Sequence, residues 1–187
     1  MLPDPNVPRY VAFLRAINVA GHGTLKMADL REAFEQAGAS DIRTVIQSGN
    51  VLFDSPKRDA PAIIRRVRAT LAGSSSEGPE VVLRDLGEVR ALVARDPFAG
   101  YVKSGRIKFY VAFLARDPAR LPPLPILAAK DALEAIAIEG REAFIVSRLK
   151  PSGFFGFPNN FIEDALGVTA TTRNWSTVTA IARLAEE

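Results

Sequence analysis

The chain has 187 residues, 48% of them hydrophobic, with 24 basic and 21 acidic side chains and a formal net charge of +3. That is enough apolar material for one large core or two small ones. Cysteine is absent and histidine occurs once, which excludes disulfides, thiolate nucleophiles and Cys-ligated zinc or iron–sulfur sites, so neither a metal nor another cofactor is expected.

The bases and acids are interleaved without a long like-charge block, so weak attraction to anions is expected but not a dedicated nucleic-acid tail. No apolar run approaches the roughly 20 residues of a membrane span. Residues 1–8 hold three prolines and lack a basic segment followed by an apolar one, so no signal peptide is expected. The expectation is a cytoplasmic protein without a membrane partner; nothing in the sequence sets an oligomeric state.

In chain order, residues 9–16 have the β-branched and aromatic character of a buried strand, followed by a glycine-containing loop over 17–26. Residues 27–37 read as a helix, because Met27, Leu30, Ala33, Phe34 and Ala37 recur at three- and four-residue spacing and Gly38 stands just beyond as a stop. Two short β runs, 42–47 and 50–54, meet through Ser48 and Gly49 as a tight hairpin. Pro61 suits a first helical turn, and Ile63, Ile64, Val67 and Leu71 form the apolar stripe of a helix whose other side carries Arg65, Arg66 and Arg68. After a break at 73–78, residues 81–84 form a fourth strand, and Asp85 with Glu88 is a capping box opening a helix through Val93.

That order is βαββαβ, the split plan of a ferredoxin-like plait. The five residues Tyr-Val-Ala-Phe-Leu occur twice, at Tyr10–Leu14 and Tyr110–Leu114. The second copy lies in an expected strand over 106–115, and residues 134–138 and 142–147 flank Gly140 and Arg141 as another hairpin. The prolines between 121 and 125 leave room for at most a short helix, and two helices are expected after Pro158, over 161–166 and 175–185. The expected fold is therefore α+β, an α/β plait of two related ferredoxin-like halves, the second degenerate and ending in helices, with domains at 1–100 and 101–187.

In a plait the loop after the first strand and the first hairpin turn share one edge. That edge would collect Arg15, Asn18, His22 and Lys26 with Gln47, Ser48 and Asn50, a set of donors suited to a phosphate or carboxylate. Each has a plainer role as well: Asn50 as turn residue, Arg15 paired with a nearby acid, and His22 and Lys26 as solvated side chains. Arg173, Asn174 and Trp175 precede an apolar helix, where they would cap and anchor it or, alternatively, form an anion site with Arg173 as a bidentate clamp. Residues 153–160 form an aromatic, glycine-rich loop that is either a lid or partner surface or a segment folded onto the core.

Four ordered segments carry a resemblance to a known family: the twelve residues from Tyr10 to Gly21, then Lys26-Met-Ala-Asp-Leu, Gln47-Ser-Gly-Asn-Val and Thr171-Thr-Arg-Asn-Trp-Ser-Thr-Val. Over nearly its whole length the chain resembles the bacterial family called domain of unknown function 1697. The resemblance implies two plait-like α/β units and brings no catalytic residue with it, because the family has no assigned activity. Ala16 and Ala20 stand where that family usually has glycine, and Phe157-Pro158-Asn159 where many relatives have a Ser-Lys pair, which implies that this member binds differently or not at all if that lysine contacts ligand elsewhere in the family.

The functional expectation is binding of a phosphate-bearing small molecule or nucleotide at the first loop and hairpin turn. An enzyme acting on such a ligand is the alternative, its arginine and asparagine laid out in a way that resembles acylphosphatases by fold analogy alone. A protein or nucleic-acid interaction module is a further reading. RNA binding is weakened because Tyr10 and Phe13 fall on opposite strand faces.

Overall fold

The computed structural model describes residues 7–15, 25–45, 49–73 and 78–184. Within them the chain is α+β, with two antiparallel sheets and five α-helices. It divides into two compact units, Met1–Arg90 and Ala91–Glu187. Among the described residues, no helix is long and apolar enough to cross a membrane.

In the first unit β1 (Arg9–Leu14), α1 (Met27–Gln36), β2 (Ser40–Val45), β3 (Asn50–Asp54), α2 (Ala60–Ala72) and β4 (Val81–Asp85) follow one another. The sheet order is β2-β3-β1-β4 with every neighbouring pair antiparallel, so β1 and β2 run parallel with β3 between them. The helices form because each places apolar residues one turn apart. Leu30, Ala33 and Phe34 on α1 and Ala60, Ile63, Ile64 and Val67 on α2 are all buried, and they close over Tyr10, Ala12, Leu14, Val51 and Phe53 of the sheet. Gly38, at φ +93°, ends α1 where a side chain would be strained. The Arg66 guanidinium on α2 donates to the Ala37 carbonyl at 3.0 Å, satisfying the end of α1.

α3 (Leu86–Arg95) opens on the expected capping box: the Asp85 carboxylate accepts from the Gly87 amide at 2.7 Å, and Glu88 accepts from the Asp85 amide at 3.2 Å. The second sheet contains β5 (Ile107–Leu114), β6 (Ile126–Ala128), β7 (Leu133–Glu139), β8 (Glu142–Arg148) and β9 (Ala170–Asn174) in the order β6-β7-β8-β5-β9. α4 (Asn159–Leu166) covers one face through Ile162 and Leu166, packed with Tyr110, Ala112, Leu114 and Ile145. α5 (Trp175–Leu184) begins the moment β9 ends.

The sequence reading is revised in the second unit at two places. The proline-rich stretch leads into the short edge strand β6 and a single 3-10 turn, Ala129–Asp131. Thr171 to Asn174, read as the approach to a helix, is strand β9, held to α4 by Glu163, which accepts from the Ala170 amide at 2.7 Å, and by Asn159, which accepts from the Thr172 hydroxyl at 3.0 Å.

The repeated pentapeptide occupies matching places. Tyr10–Leu14 lies between β3 and β4, and Tyr110–Leu114 between β8 and β9. The Leu14 amide donates to the Gly49 carbonyl and the Leu114 amide to that of Arg141, both at 2.8 Å; next along, Arg15 donates to Glu80 at 2.8 Å and Ala115 to Thr169 at 2.9 Å.

Both Tyr10 and Tyr110 are buried, and their phenols are pushed up from the usual 10.0, Tyr110 by burial and Tyr10 by burial and then by Asp85 and Glu88. A folded pKa above the unfolded one makes this contribution to stability complete below about pH 10 and lost as pH rises through the folded value. The denaturation midpoint of the wild type should therefore fall between about pH 9 and about pH 11 more steeply than that of a Tyr10→Phe/Tyr110→Phe variant. Parallel slopes for the two proteins would refute this.

Candidate functional site

The residues expected to form a first-loop site are only partly described. Asn18, His22, Gln47 and Ser48 lie outside the described residues. Lys26 is exposed at the start of α1 and makes no side-chain cap. Arg15 is half-buried, and its amide extends the ladder to Glu80. Asn50 is 1% exposed, and its side-chain amide donates to the Val45 carbonyl at 3.1 Å, so it closes the β2–β3 hairpin from within.

The C-terminal trio separates. Arg173 is buried on β9 opposite Val111, its guanidinium donating to the Thr171 hydroxyl and the Thr172 carbonyl, both at 2.9 Å. Burial lowers its pKa to about 10, so it is still a cation at neutral pH. Asn174, exposed, and Trp175, buried as the first residue of α5, instead line an open cleft of about 590 Å³ in the second unit.

This cleft is built where β5 begins and α5 starts. Lys103 and Ser104 come from the loop before β5, and Ile107, Lys108 and Phe109 from β5 itself; α5 adds Ser176, Thr179 and Arg183. Ser176, Thr179 and Arg183 stand three and four residues apart, which puts them on one stripe of the helix. The floor is apolar and tightly held: Phe98 is 0% exposed, its ring 4.7 Å from Phe109 and 5.2 Å edge-on to Trp175.

Three of the lining residues are cations, Lys103, Lys108 and Arg183, and among the described residues none is an acid. Elsewhere Arg31, Arg68, Arg95 and Arg148 each hold a carboxylate. Among the described residues the three cleft cations hold none. The Lys108 ammonium rests 4.5 Å from the centre of the Phe155 ring. That ring belongs to the aromatic loop over 153–158, fastened by the Ser147 hydroxyl donating to the Gly156 carbonyl at 2.9 Å and by the bridge between Leu149 and Phe155. A side chain at Gly156 would meet the Asp131 carbonyl at 2.4 Å, so only glycine lets this loop lie so close. The fastened loop still leaves Phe154 and Phe157 exposed to solvent.

Sequence reasoning reached Asn174 and Trp175 but missed Lys103, Ser104, Lys108, Ser176, Thr179 and Arg183. The signal available for three of them was the three- and four-residue spacing of Ser176, Thr179 and Arg183 along a helix whose other residues are apolar except Thr177.

Fold and site together define an α+β protein of two antiparallel sheets with a cationic cleft in its second unit, lined by no acid among the described residues. The chain belongs to the family described as "Protein of unknown function (DUF1697)", whose model matches residues 7–144. A solved structure, that of the conserved bacterial protein SP0830 from Streptococcus pneumoniae, is similar over 95% of this chain and 98% of that one, with a TM-score of 0.61 and 18% identity. At that identity the likeness speaks for the fold alone. No curated protein matches the chain.

Proposed function

We propose that the chain binds a phosphate-bearing small molecule, such as a sugar phosphate or nucleotide, in the cleft between the start of β5 and α5. The observation that carries this is a lining with three cations, three hydroxyls and an amide and, among the described residues, no acid. Cations left without carboxylates on an open concave surface attract anions and supply charge-assisted donors to phosphate oxygens.

A comparison within the molecule supports the same place. We propose that the second unit is a degenerate repeat of the first unit's βαββαβ plan, with β6 and a 3-10 turn where the first unit has α1; the matched ladders around Tyr10–Leu14 and Tyr110–Leu114 support this. In that alignment Asp85, opposite Tyr10, corresponds to Asn174, opposite Tyr110, and Arg84 corresponds to Arg173. The first junction fills its helix start with its own carboxylates, Asp85 and Glu88, whereas the first turn of α5 holds no acid. An external anion at the second junction meets no negative charge in that first turn.

Inorganic phosphate and a hexose monophosphate test the reading, with the emission of Trp175, the sole tryptophan, as reporter. At a hundredfold excess over Kd the melting temperature should rise by about 6 °C, and a Lys103→Ala/Lys108→Ala variant should bind at least about tenfold more weakly. Absence of any thermal or fluorescence response to either compound would sink the proposal.

A further inference from the structure

Resting on that reading, we infer that Phe155 is a positioning residue for the cleft: its ring confines the Lys108 ammonium, so the lysine has less freedom to lose when it takes up an anion. The place of the ring is set by the strand beside Lys108. Lys108 on β5 stands directly opposite Ser147 on β8, so the two side chains leave the same face of the sheet side by side. Ser147 is 0% exposed, and its hydroxyl donates to the Gly156 carbonyl at 2.9 Å. The cross-strand neighbour of Lys108 thus anchors the residue next to Phe155. Leu149, two residues further along, pairs with Phe155 as an antiparallel bridge, and the Lys150 amide donates to the Phe154 carbonyl at 3.0 Å. Gly153, at φ +81°, closes this turn by donating its amide to the Lys150 carbonyl at 2.9 Å. Bonds to the backbone on both sides of Phe155 therefore fix where its ring is presented.

A lysine side chain is long and loses much rotamer freedom when a ligand holds it. The Lys108 ammonium rests 4.5 Å from the centre of the Phe155 ring, an attraction that confines it before any ligand arrives. An ammonium has three N–H donors, and the ring occupies one side of it, so donors remain for phosphate oxygens. Lys108 lines the cleft and Phe155 does not. The ring therefore acts through the lysine.

The test measures inorganic phosphate affinity by calorimetry on the intact chain, in a double-mutant cycle of Phe155→Leu and Lys108→Ala. Phe155→Leu keeps an apolar side chain but removes the ring face, and should weaken phosphate binding about threefold. In the Lys108→Ala background the same change should alter affinity by less than about 1.5-fold, because the group it acts through is gone. Phe155→Tyr keeps the ring and should bind within about 1.5-fold of the wild type. In the ligand-free protein the Lys108 ε-methylene protons, held over a ring face, should resonate upfield of ordinary lysine and return to the ordinary position in Phe155→Leu. Unchanged or tighter phosphate binding by Phe155→Leu, an equal loss in both backgrounds, or Lys108 resonances that Phe155→Leu leaves in place overturns the inference while phosphate binding itself stands. Absence of phosphate binding by the wild type overturns the inference together with the reading beneath it.

Discussion

The Asp54→Ala variant should melt about 8 °C below the wild type, the equivalent of about 3 kcal/mol, because it leaves a partly buried guanidinium short of its charge partner. Arg9 and Asp54 stand opposite each other where β1 meets β3. Their side chains are only 15% and 6% exposed and join in a two-pronged contact, Nε to one carboxylate oxygen at 2.7 Å and Nη2 to the other at 3.0 Å. The same Nη2 also pairs with Asp41 on β2, so one arginine ties three strands of the first sheet at a single end. Asp41 reaches it from a backbone at φ +40°, beside the irregular pairing between Ser40 and Arg43. Such a conformation costs an ordinary residue of order 1 kcal/mol and persists where its surroundings over-determine it. Asp54→Asn keeps the shape and one acceptor and should lose roughly half as much. Thermal unfolding followed by circular dichroism reads both. An Asp54→Ala protein melting within about 1 °C of the wild type would show that Asp41 alone satisfies Arg9.

How far the sequence foretold this molecule depended on how local each signal was. The α1 and α2 stripes, the stop at Gly38, the Asp85/Glu88 capping box and the strand at Asn50–Asp54 are each set by residues within a turn or a hairpin of one another, and each is where the periodicity puts it. β9 is different. Its residues Ala170 to Asn174 include two threonines, an arginine and an asparagine, a composition that serves equally for the entry to a helix. What makes them a strand is the ladder to Tyr110–Leu114, about sixty residues earlier, and tertiary pairing of that kind overrides local preference. The cleft was hidden for the same reason, since its two sides come from residues 103–109 and 174–183, and only the pairing of β5 with β9 brings those segments together. The repeated pentapeptide drew attention to the loop after its first copy. Its second copy is the one whose flanks form the described cleft, because Lys103, Ser104 and Lys108 precede that pentapeptide instead of following it.

Phe98 carries the second large expected effect and ties the cleft to the core of its unit. It lies just after α3, in a segment wound into successive turns: Asp96, at φ +38°, accepts from the Phe98 amide through its side chain and from the Ala99 amide through its carbonyl, and the Phe98 carbonyl then accepts from Tyr101. The turns deliver a fully buried ring against Phe109, Phe144 and Trp175, edge-on to the last two. Phe98→Ala removes that ring from a site whose neighbours are fixed on β5, β8 and α5, so collapse into the void is limited and the cost should be about 4 kcal/mol, or about 10 °C in melting temperature. Phe98→Leu fills most of the space and should lose less than half of that. Because Phe109 and Trp175 also line the cleft, the alanine variant loosens its floor: the emission of the single tryptophan should shift to the red as water reaches the indole, and, on the proposed function, affinity for a hexose phosphate should fall although no cation or hydroxyl of the cleft has changed. An unchanged emission maximum, with a melting temperature within about 2 °C of the wild type, would mean that Phe98 supports neither the core nor the cleft.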